Sequence, residues 1–177
     1  MSQEKWYAIH CKSRHEKQVH LRLQMKGISS YLAEFETRVK WGTRMRKTHK
    51  NLLPGYVLVH TEIDPARHLE VLQTESVVKF VGKAWPNLSW IPDQEIASLQ
   101  MILDKRMDFE QVDYLTSGQP VEVIAGPFAG LRGLVQEQSP RPNRVYVSLH
   151  LLKRTVAVEI DTQLLRKVER LRRRRAA

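Results

Sequence analysis

A single cysteine, Cys11, excludes an intrachain disulfide framework and a cysteine-rich zinc site. No stretch approaches the roughly 20 apolar residues that a membrane-spanning helix requires. The N-terminus is polar and runs straight into a strand, so no secretory leader is expected and a cytoplasmic protein is the simplest reading. No glycine-rich phosphate loop precedes a helix start, and no nucleophile–base pair stands out. His10, Cys11, His15 and His20 are the only residues that invite a metal reading. His10 and Cys11 are adjacent on a strand and face opposite sides, and His15 and His20 are not spaced i, i+4. An enzyme is therefore the weaker reading, and no cofactor or metal is expected.

Acidic residues are also scarce. Nineteen Asp and Glu stand against 29 Lys and Arg, for a formal net charge of +10 and a pI near 9.9. The tail 166–175 holds seven cations and one anion, so it carries +6 and leaves +4 for the rest. A modestly basic body with a strongly basic end fits a polyanionic partner, most often nucleic acid; the tail alone fits an unselective solubilising segment equally well. With 42% hydrophobic and 27% charged residues, the 177-residue chain is of globular composition, one domain or two small ones.

The stretch Leu52-Leu53-Pro54-Gly55-Tyr56-Val57-Leu58-Val59-His60 organises the first half. Pro54 and Gly55 make a corner. The run after it has no polar alternation, which suits a strand buried on both faces at the centre of a sheet. Before the corner, Arg38, Lys40, Arg44, Arg46, Lys47 and Lys50 are spread along an expected hairpin arm with Gly42 near its tip. Upstream, residues 6–10 read as the first strand. Ser13 and Glu16 form a capping-box pattern that predicts a helix over 14–26, closed by Gly27. Its core face would hold Val19, Leu23 and Lys26 with Leu21 and Met25 beside it, and its exposed side Lys17, His20 and Arg22. Asp64-Pro65 opens a second helix, with Leu69 and Leu72 or Val71 as its core face. Residues 76–81 form another strand, and 92–95 open a third helix with Ile96, Leu99, Ile102 and Leu103 inward. These elements make a small α/β sandwich ending near 105. Residues 105–117 are aperiodic and read as a linker. From 118 the pattern is short strands between Gly- and Pro-containing turns, including 140–143, which suits a small β-barrel.

The residues Trp6-Tyr7, Leu53-Pro54-Gly55-Tyr56-Val57 and Val78-Lys79-Phe80-Val81-Gly82 resemble the N-terminal domain of NusG-type transcription elongation factors. Residues 118–123, Gly126-Pro127-Phe128-Ala129-Gly130 and Gly133-Leu134-Val135 resemble its C-terminal KOW motif, and 156–161 also fits. The resemblance covers 6 to about 168. It implies an α+β protein: an NGN α/β sandwich at 1–105 with a mixed, mainly antiparallel sheet and flanking helices, a linker at 106–117, an SH3-like KOW β-barrel at 118–168, and a basic tail at 169–177.

The same resemblance implies a function. The N-terminal domain binds the clamp helices of RNA polymerase and suppresses pausing. Tyr7, Leu53, Pro54 and Tyr56 match the family's polymerase-binding positions, and Phe80 closes the groove; the alternative for each is a place in the sheet core. Lys12, Arg14 and Arg22 match the region that touches the non-template DNA strand in specialised members, with Lys17 and His20 as neighbours; taken singly, each also fits a solvated helix face. Arg44, Arg46 and Lys47 lie on the arm that reaches across the polymerase cleft, to meet DNA phosphate or an acidic polymerase surface. Phe128, in the turn where the family contacts a small-subunit ribosomal protein, is either a partner anchor or a plug closing the barrel. Rho is the other implied partner, and a monomer is expected.

Cys11-Lys12, the segment 149–154, Leu53 in place of the commoner Phe, and the basic tail are similar to specialised, operon-restricted members such as RfaH. Gly126, Gly130 and Gly133 favour a barrel over a helical C-terminal domain. A housekeeping factor acting with Rho and the ribosome is the alternative, and a ribosome-associated KOW RNA-binding protein is the third reading.

Overall fold

The computed structural model describes residues 3–104, 109–112, 118–136 and 144–168. In chain order the elements are β1 (Lys5–Cys11), α1 (Glu16–Met25), β2 (Ser29–Tyr31), β3 (Glu34–Trp41), β4 (Arg44–Asn51), β5 (Tyr56–Thr61), α2 (Pro65–Leu72), β6 (Val77–Phe80), α3 (Asp93–Asp104), β7 (Phe109–Val112), β8 (Gln119–Val123), β9 (Arg132–Val135), β10 (Arg144–Leu149), β11 (Arg154–Glu159) and, after a 3-10 turn, β12 (Leu165–Lys167). The chain divides into two compact units, Met1–Ile96 with Leu149–Leu152, and Ala97–Ser148 with Lys153–Ala177.

In the first unit the sheet runs β2-β5-β1-β6, and the pairings of β5 and β6 with β1 and of β2 with β5 are antiparallel. The unalternating run Val57-Leu58-Val59 sits in β5, inside the sheet, and all three side chains are fully buried. Tyr7, Ile9, Val57 and Val59 pack on one face with Val19 and Leu23 of α1, Val71 of α2 and Phe80. At ~25 cal/mol per Å², burying side chains of this size contributes about 1.5–3 kcal/mol each.

The hairpin β3–β4 forms a separate two-stranded sheet, with eight residue pairs from Glu34–Asn51 to Trp41–Arg44 and Gly42 at φ 62° in the tip. It is the arm expected from the sequence. Asp64 caps α2 as expected, accepting the Arg67 N–H at 2.7 Å, with Pro65 in the first helical turn. Ile96, Leu99, Ile102 and Leu103 of α3 are buried.

Local details differ where a tertiary contact overrides the local pattern. Helix α1 starts at Glu16, not at 14, because Arg14 takes φ 63°. His15 is the N-cap without a side-chain cap bond, so the expected Ser13–Glu16 capping box does not form. The Glu16 carboxylate is turned instead to the Gly55 N–H, at 2.7 Å. Leu21 (51%) and Met25 (87%) are exposed, and Lys26 is not a core residue: its Nζ bonds the Glu70 carbonyl at 3.1 Å and Thr74 Oγ1 at 2.8 Å. In α2 the inward residue is Val71, while Leu69 is exposed. Both helices are short, so a narrow apolar stripe suffices and the remaining apolar residues stay outside.

In the second unit the sheet order is β12-β8-β9-β10-β11-β7. Strand β7 lies within the stretch expected to be an unstructured linker and pairs with β11, from Val112–Thr155 to Phe109–Val158. Its sequence has no alternation to announce it, because an edge strand is specified by the ladder it joins. The expected turn at 140–143 lies outside the described residues. Gly126 and Gly130 hold φ of 80° and 87° in the turn before β9, a conformation that favours glycine. Gly133 is required for a different reason: a Cβ there would lie 2.6 Å from the Tyr146 carbonyl oxygen and 2.6 Å from Val145 Cγ1. The chain is thus an α+β protein with an N-terminal sheet-and-helix unit and a C-terminal sheet unit. Gly133→Ala is expected to force β9 away from β10 and to destabilise the second unit by about 1–3 kcal/mol. Chemical denaturation followed by near-UV circular dichroism checks this, against Gly130→Ala, where no neighbour lies within 4 Å and only the backbone strain remains.

Candidate functional site

The corner before β5 is held from three sides. Asn51 Oδ1 accepts the Leu53 N–H at 2.9 Å, and the Tyr56 N–H donates to the Leu53 carbonyl at 3.0 Å. The Gly55 carbonyl accepts the Cys11 N–H at 2.9 Å and, more weakly, its thiol at 3.5 Å. Glu16 takes the Gly55 N–H from the opposite direction. Gly55 itself sits at φ 83°. One glycine therefore ties β1, α1 and β5 together. Cys11 is buried there, and its desolvation, reinforced by the nearby Glu16 charge, pushes its thiol up to about 11.

The five residues expected to line one groove do not share a face. Residues opposite each other in an antiparallel ladder point the same way, and each strand alternates. Tyr7 lies opposite Val59 and Phe80 opposite Ile9, on the helix-covered side. Their rings meet edge to face at 6.1 Å, and they are 5% and 8% exposed. Tyr56 lies opposite His10 on the other side, with ring centroids 5.5 Å apart. Leu53 is 1% exposed, so its side chain supports the corner from inside instead of presenting it. Pro54 is exposed and Tyr56 half-buried. The side bearing Tyr56 also carries Trp6 stacked on His60, centroids 4.7 Å apart. His10 is the member of this row that the sequence reading missed, having considered it only as a metal ligand. The alternation within β1 was legible, but its register against β5 is a contact between residues far apart in sequence.

The expected cations separate into exposed and engaged. Lys12, Arg14 and Lys17 are exposed, on the turn before α1 and its first turn. Arg22 is half-buried and ion-paired to Glu75 at 2.7 Å, with a second bond to the Glu75 carbonyl at 3.3 Å. His20 is half-buried against β2, its Nδ1 2.8 Å from Ser30 Oγ. Neither lies on the outer side of α1 as expected, because both flank the Val19–Leu23 stripe. Burial holds the His20 imidazole below its ordinary 6.5, against a weaker upward pull from Glu34.

On the arm, Arg44 and Arg46 lie on one face of the ribbon and Arg38 and Lys47 on the other, by the register. Arg44, Arg46 and Lys47 are all exposed, and Lys47 is paired to Glu36 at 2.9 Å. Arg38 and Lys47 lie directly opposite each other, a like-charge pairing that is unfavourable without an anion. In the second unit Phe128 is 3% exposed and fills the inside of its turn, which matches the plug and not an exposed anchor. At the start of the basic tail, Arg166 is held on Glu122 at 2.8 Å, and that guanidinium keeps the Glu122 carboxyl below the usual carboxylate range. Residues 169–177 lie outside the described residues. Among the described residues, no three His, Cys, Asp or Glu side chains gather as metal ligands, and no helix is long and apolar enough to cross a membrane.

The comparisons agree with this architecture. The family model described as "Transcription termination factor nusG" matches residues 4–100, and the KOW motif matches residues 118–148. The chain is 30% identical over 181 residues to the transcription termination/antitermination protein NusG of Staphylococcus carnosus, covering 93% of this chain and 96% of that protein. It is 28% identical over 175 residues to the protein of the same name from Pseudomonas aeruginosa, covering 93% and 99%. A solved structure, "Domain interaction in Thermotoga maritima NusG", aligns over 94% of this chain and 98% of that one with 21% identity and a TM-score of 0.47. The chain belongs to the NusG family. It is a transcription factor of the termination/antitermination class and not an enzyme.

Two outcomes follow from the geometry. Glu16→Ala leaves the Gly55 N–H without its charged acceptor and is expected to cost about 1–3 kcal/mol in a urea melt, with Glu16→Gln recovering part of it. For His20, the unfolded imidazole takes up a proton more readily than the folded one. Stability is therefore full above pH 6.5 and declines as pH falls below that value. His20→Asn is expected to remove this component, seen as a flatter stability–pH profile between pH 7 and pH 5.

Proposed function

We propose that this chain binds the clamp helices of RNA polymerase through the side of its N-terminal sheet that carries Pro54, Tyr56 and His10, and that it suppresses pausing and promotes antitermination on a restricted set of operons. The observation that carries the reading is the exposed Pro54 beside a half-buried Tyr56 on a corner pinned by Glu16 and Cys11. A rigid aromatic presented from a fixed corner is what a helical partner uses as an anchor. Tyr7, Phe80 and Leu53 act beneath this surface, by fixing the sheet on which it stands. Lys12, Arg14 and Lys17 contact phosphates of the non-template strand, and Arg44, Arg46 and Lys47 of the arm reach DNA or an acidic surface across the cleft. Arg22 and His20 hold α1 in place for those contacts. The C-terminal unit recruits a small-subunit ribosomal protein or Rho.

Binding that favours the closed clamp lowers the population of paused states in proportion to the difference in affinity for the two states. The restricted-operon reading is supported by Cys11-Lys12, Leu53 and the 149–154 segment, which depart from the housekeeping pattern. The domain limits 1–105, 106–117 and 118–168 remain the assignment of parts to these roles.

In-vitro transcription through a strong pause and a Rho-dependent terminator tests the reading. Wild-type protein is expected to speed pause escape and to give read-through with Rho present. Tyr56→Ala is expected to weaken polymerase binding by about 2 kcal/mol, roughly 30-fold, and to abolish the effect at equal concentration. Enhanced termination with Rho would instead identify a housekeeping factor. Unchanged activity of Tyr56→Ala would remove the corner from the polymerase contact.

A further inference from the structure

The loop between β6 and α3 spends two tryptophans that the first unit's core does not consume. Trp85 (39% exposed) is braced by a ladder of rings, stacking on His68 at 4.8 Å, which stacks on Phe80 at 5.1 Å. Trp90 is half exposed and serves a different purpose. It lines a cavity of 560 Å³ together with Gln3, Lys5, Tyr7, Pro86 and Asn87. The Lys5 ammonium lies 5.3 Å from the centre of the Trp90 ring. The cavity stands at the start of β1, whereas Cys11, Lys12 and the Tyr56 corner are at its other end.

The wall chemistry is specific. An indole supplies a flat stacking surface. Two primary amides, Gln3 and Asn87, each offer both donors and an acceptor, which is what the edge of a nucleobase pairs with. A lysine beside the ring supplies a cation where a base's own phosphate would follow. The volume is within the 300–1,000 Å³ range of small-ligand sites and accommodates one nucleotide. A peptide partner would use the apolar walls but would leave the amide pair and the cation without a matched role. We propose that this cavity binds one unpaired nucleotide of a single-stranded nucleic acid, with the base stacked on Trp90, its edge on Asn87 and Gln3, and a phosphate on Lys5. The site is separate from the cations of α1 and the arm, and it provides what phosphate contacts lack, a pocket for a base.

The full chain is titrated with fluorescein-labelled dT12 and U12, read by fluorescence anisotropy at several salt concentrations. Trp90→Ala is expected to weaken binding of the preferred strand about tenfold, and Trp90→Phe to restore most of it, since stacking and not bulk is being tested. Lys5→Gln is expected to lower the salt slope by about 0.7, one phosphate on a single strand. Trp85→Ala is expected to bind as wild type. A difference between dT12 and U12 identifies which nucleic acid the pocket takes. Trp90→Ala binding both strands as tightly as wild type overturns the proposal, as does wild type binding neither. If Lys12→Gln with Lys17→Gln weakens binding while Trp90→Ala does not, the pocket assignment falls and the helix-face assignment stands.

Discussion

The pairing of β1 with β5, closed at one end by Gly55, is the constraint on which the first unit depends. Gly55 accepts from Cys11 on β1 and donates to Glu16 on α1, while its positive φ turns the chain into β5. Three elements are located by one residue without a side chain. A partly buried N–H paired to a carboxylate is stronger than a neutral hydrogen bond and is costly to leave unpaired. The same bond explains why α1 lacks a conventional cap: its first acidic residue is committed to a tertiary contact. What the corner gives up in local regularity it returns as a fixed platform for Pro54 and Tyr56.

The platform separates two tasks that a one-dimensional reading merges. Residues on the helix-covered side, Tyr7 and Phe80 among them, make the sheet rigid. Those on the other side, His10 and Tyr56, are only half-buried and form a row with Trp6 and His60. The cations divide in the same way. Arg22 and Lys26 are spent joining α1 to the end of α2, and Lys12, Arg14 and Lys17 are left outside. Surface ion pairs such as Arg22–Glu75 contribute little to stability. Their effect here is to fix which charges are available to a partner. The arm completes the picture: a ribbon cationic on both faces has no apolar side with which to lie down on its own protein. Two-stranded ribbons of this kind are marginal alone, which suits a segment that meets an anionic partner.

The extent to which this was legible in the sequence varies by the range of the interaction. Val57-Leu58-Val59 announced a strand covered on both faces, Asp64-Pro65 a helix start, and Gly126 and Gly130 a turn, because each rests on the conformational limits of a few adjacent residues. The basic arm with Gly42 at its tip was visible for the same reason. Strand β7 was not, since an edge strand needs no pattern of its own once β11 offers a ladder. Family membership was legible from motif order, Pro54-Gly55-Tyr56 first and Gly126 to Gly133 later.

What the amino-acid sequence determined by itself is therefore the α+β character, the buried strand, the turn glycines and the excess of positive charge, all set by local sterics, periodicity and composition. The tertiary structure alone decided which side of the sheet each aromatic faces, because a one-residue change of register reverses every side chain. It alone decided that Glu16 leaves its helix for Gly55, that Arg22 and His20 are engaged while Lys12 and Lys17 are not, and that Trp90, Asn87 and Lys5 meet around one cavity. Those are contacts between residues distant in the chain, and no spacing along the chain encodes the distances at which they come to rest.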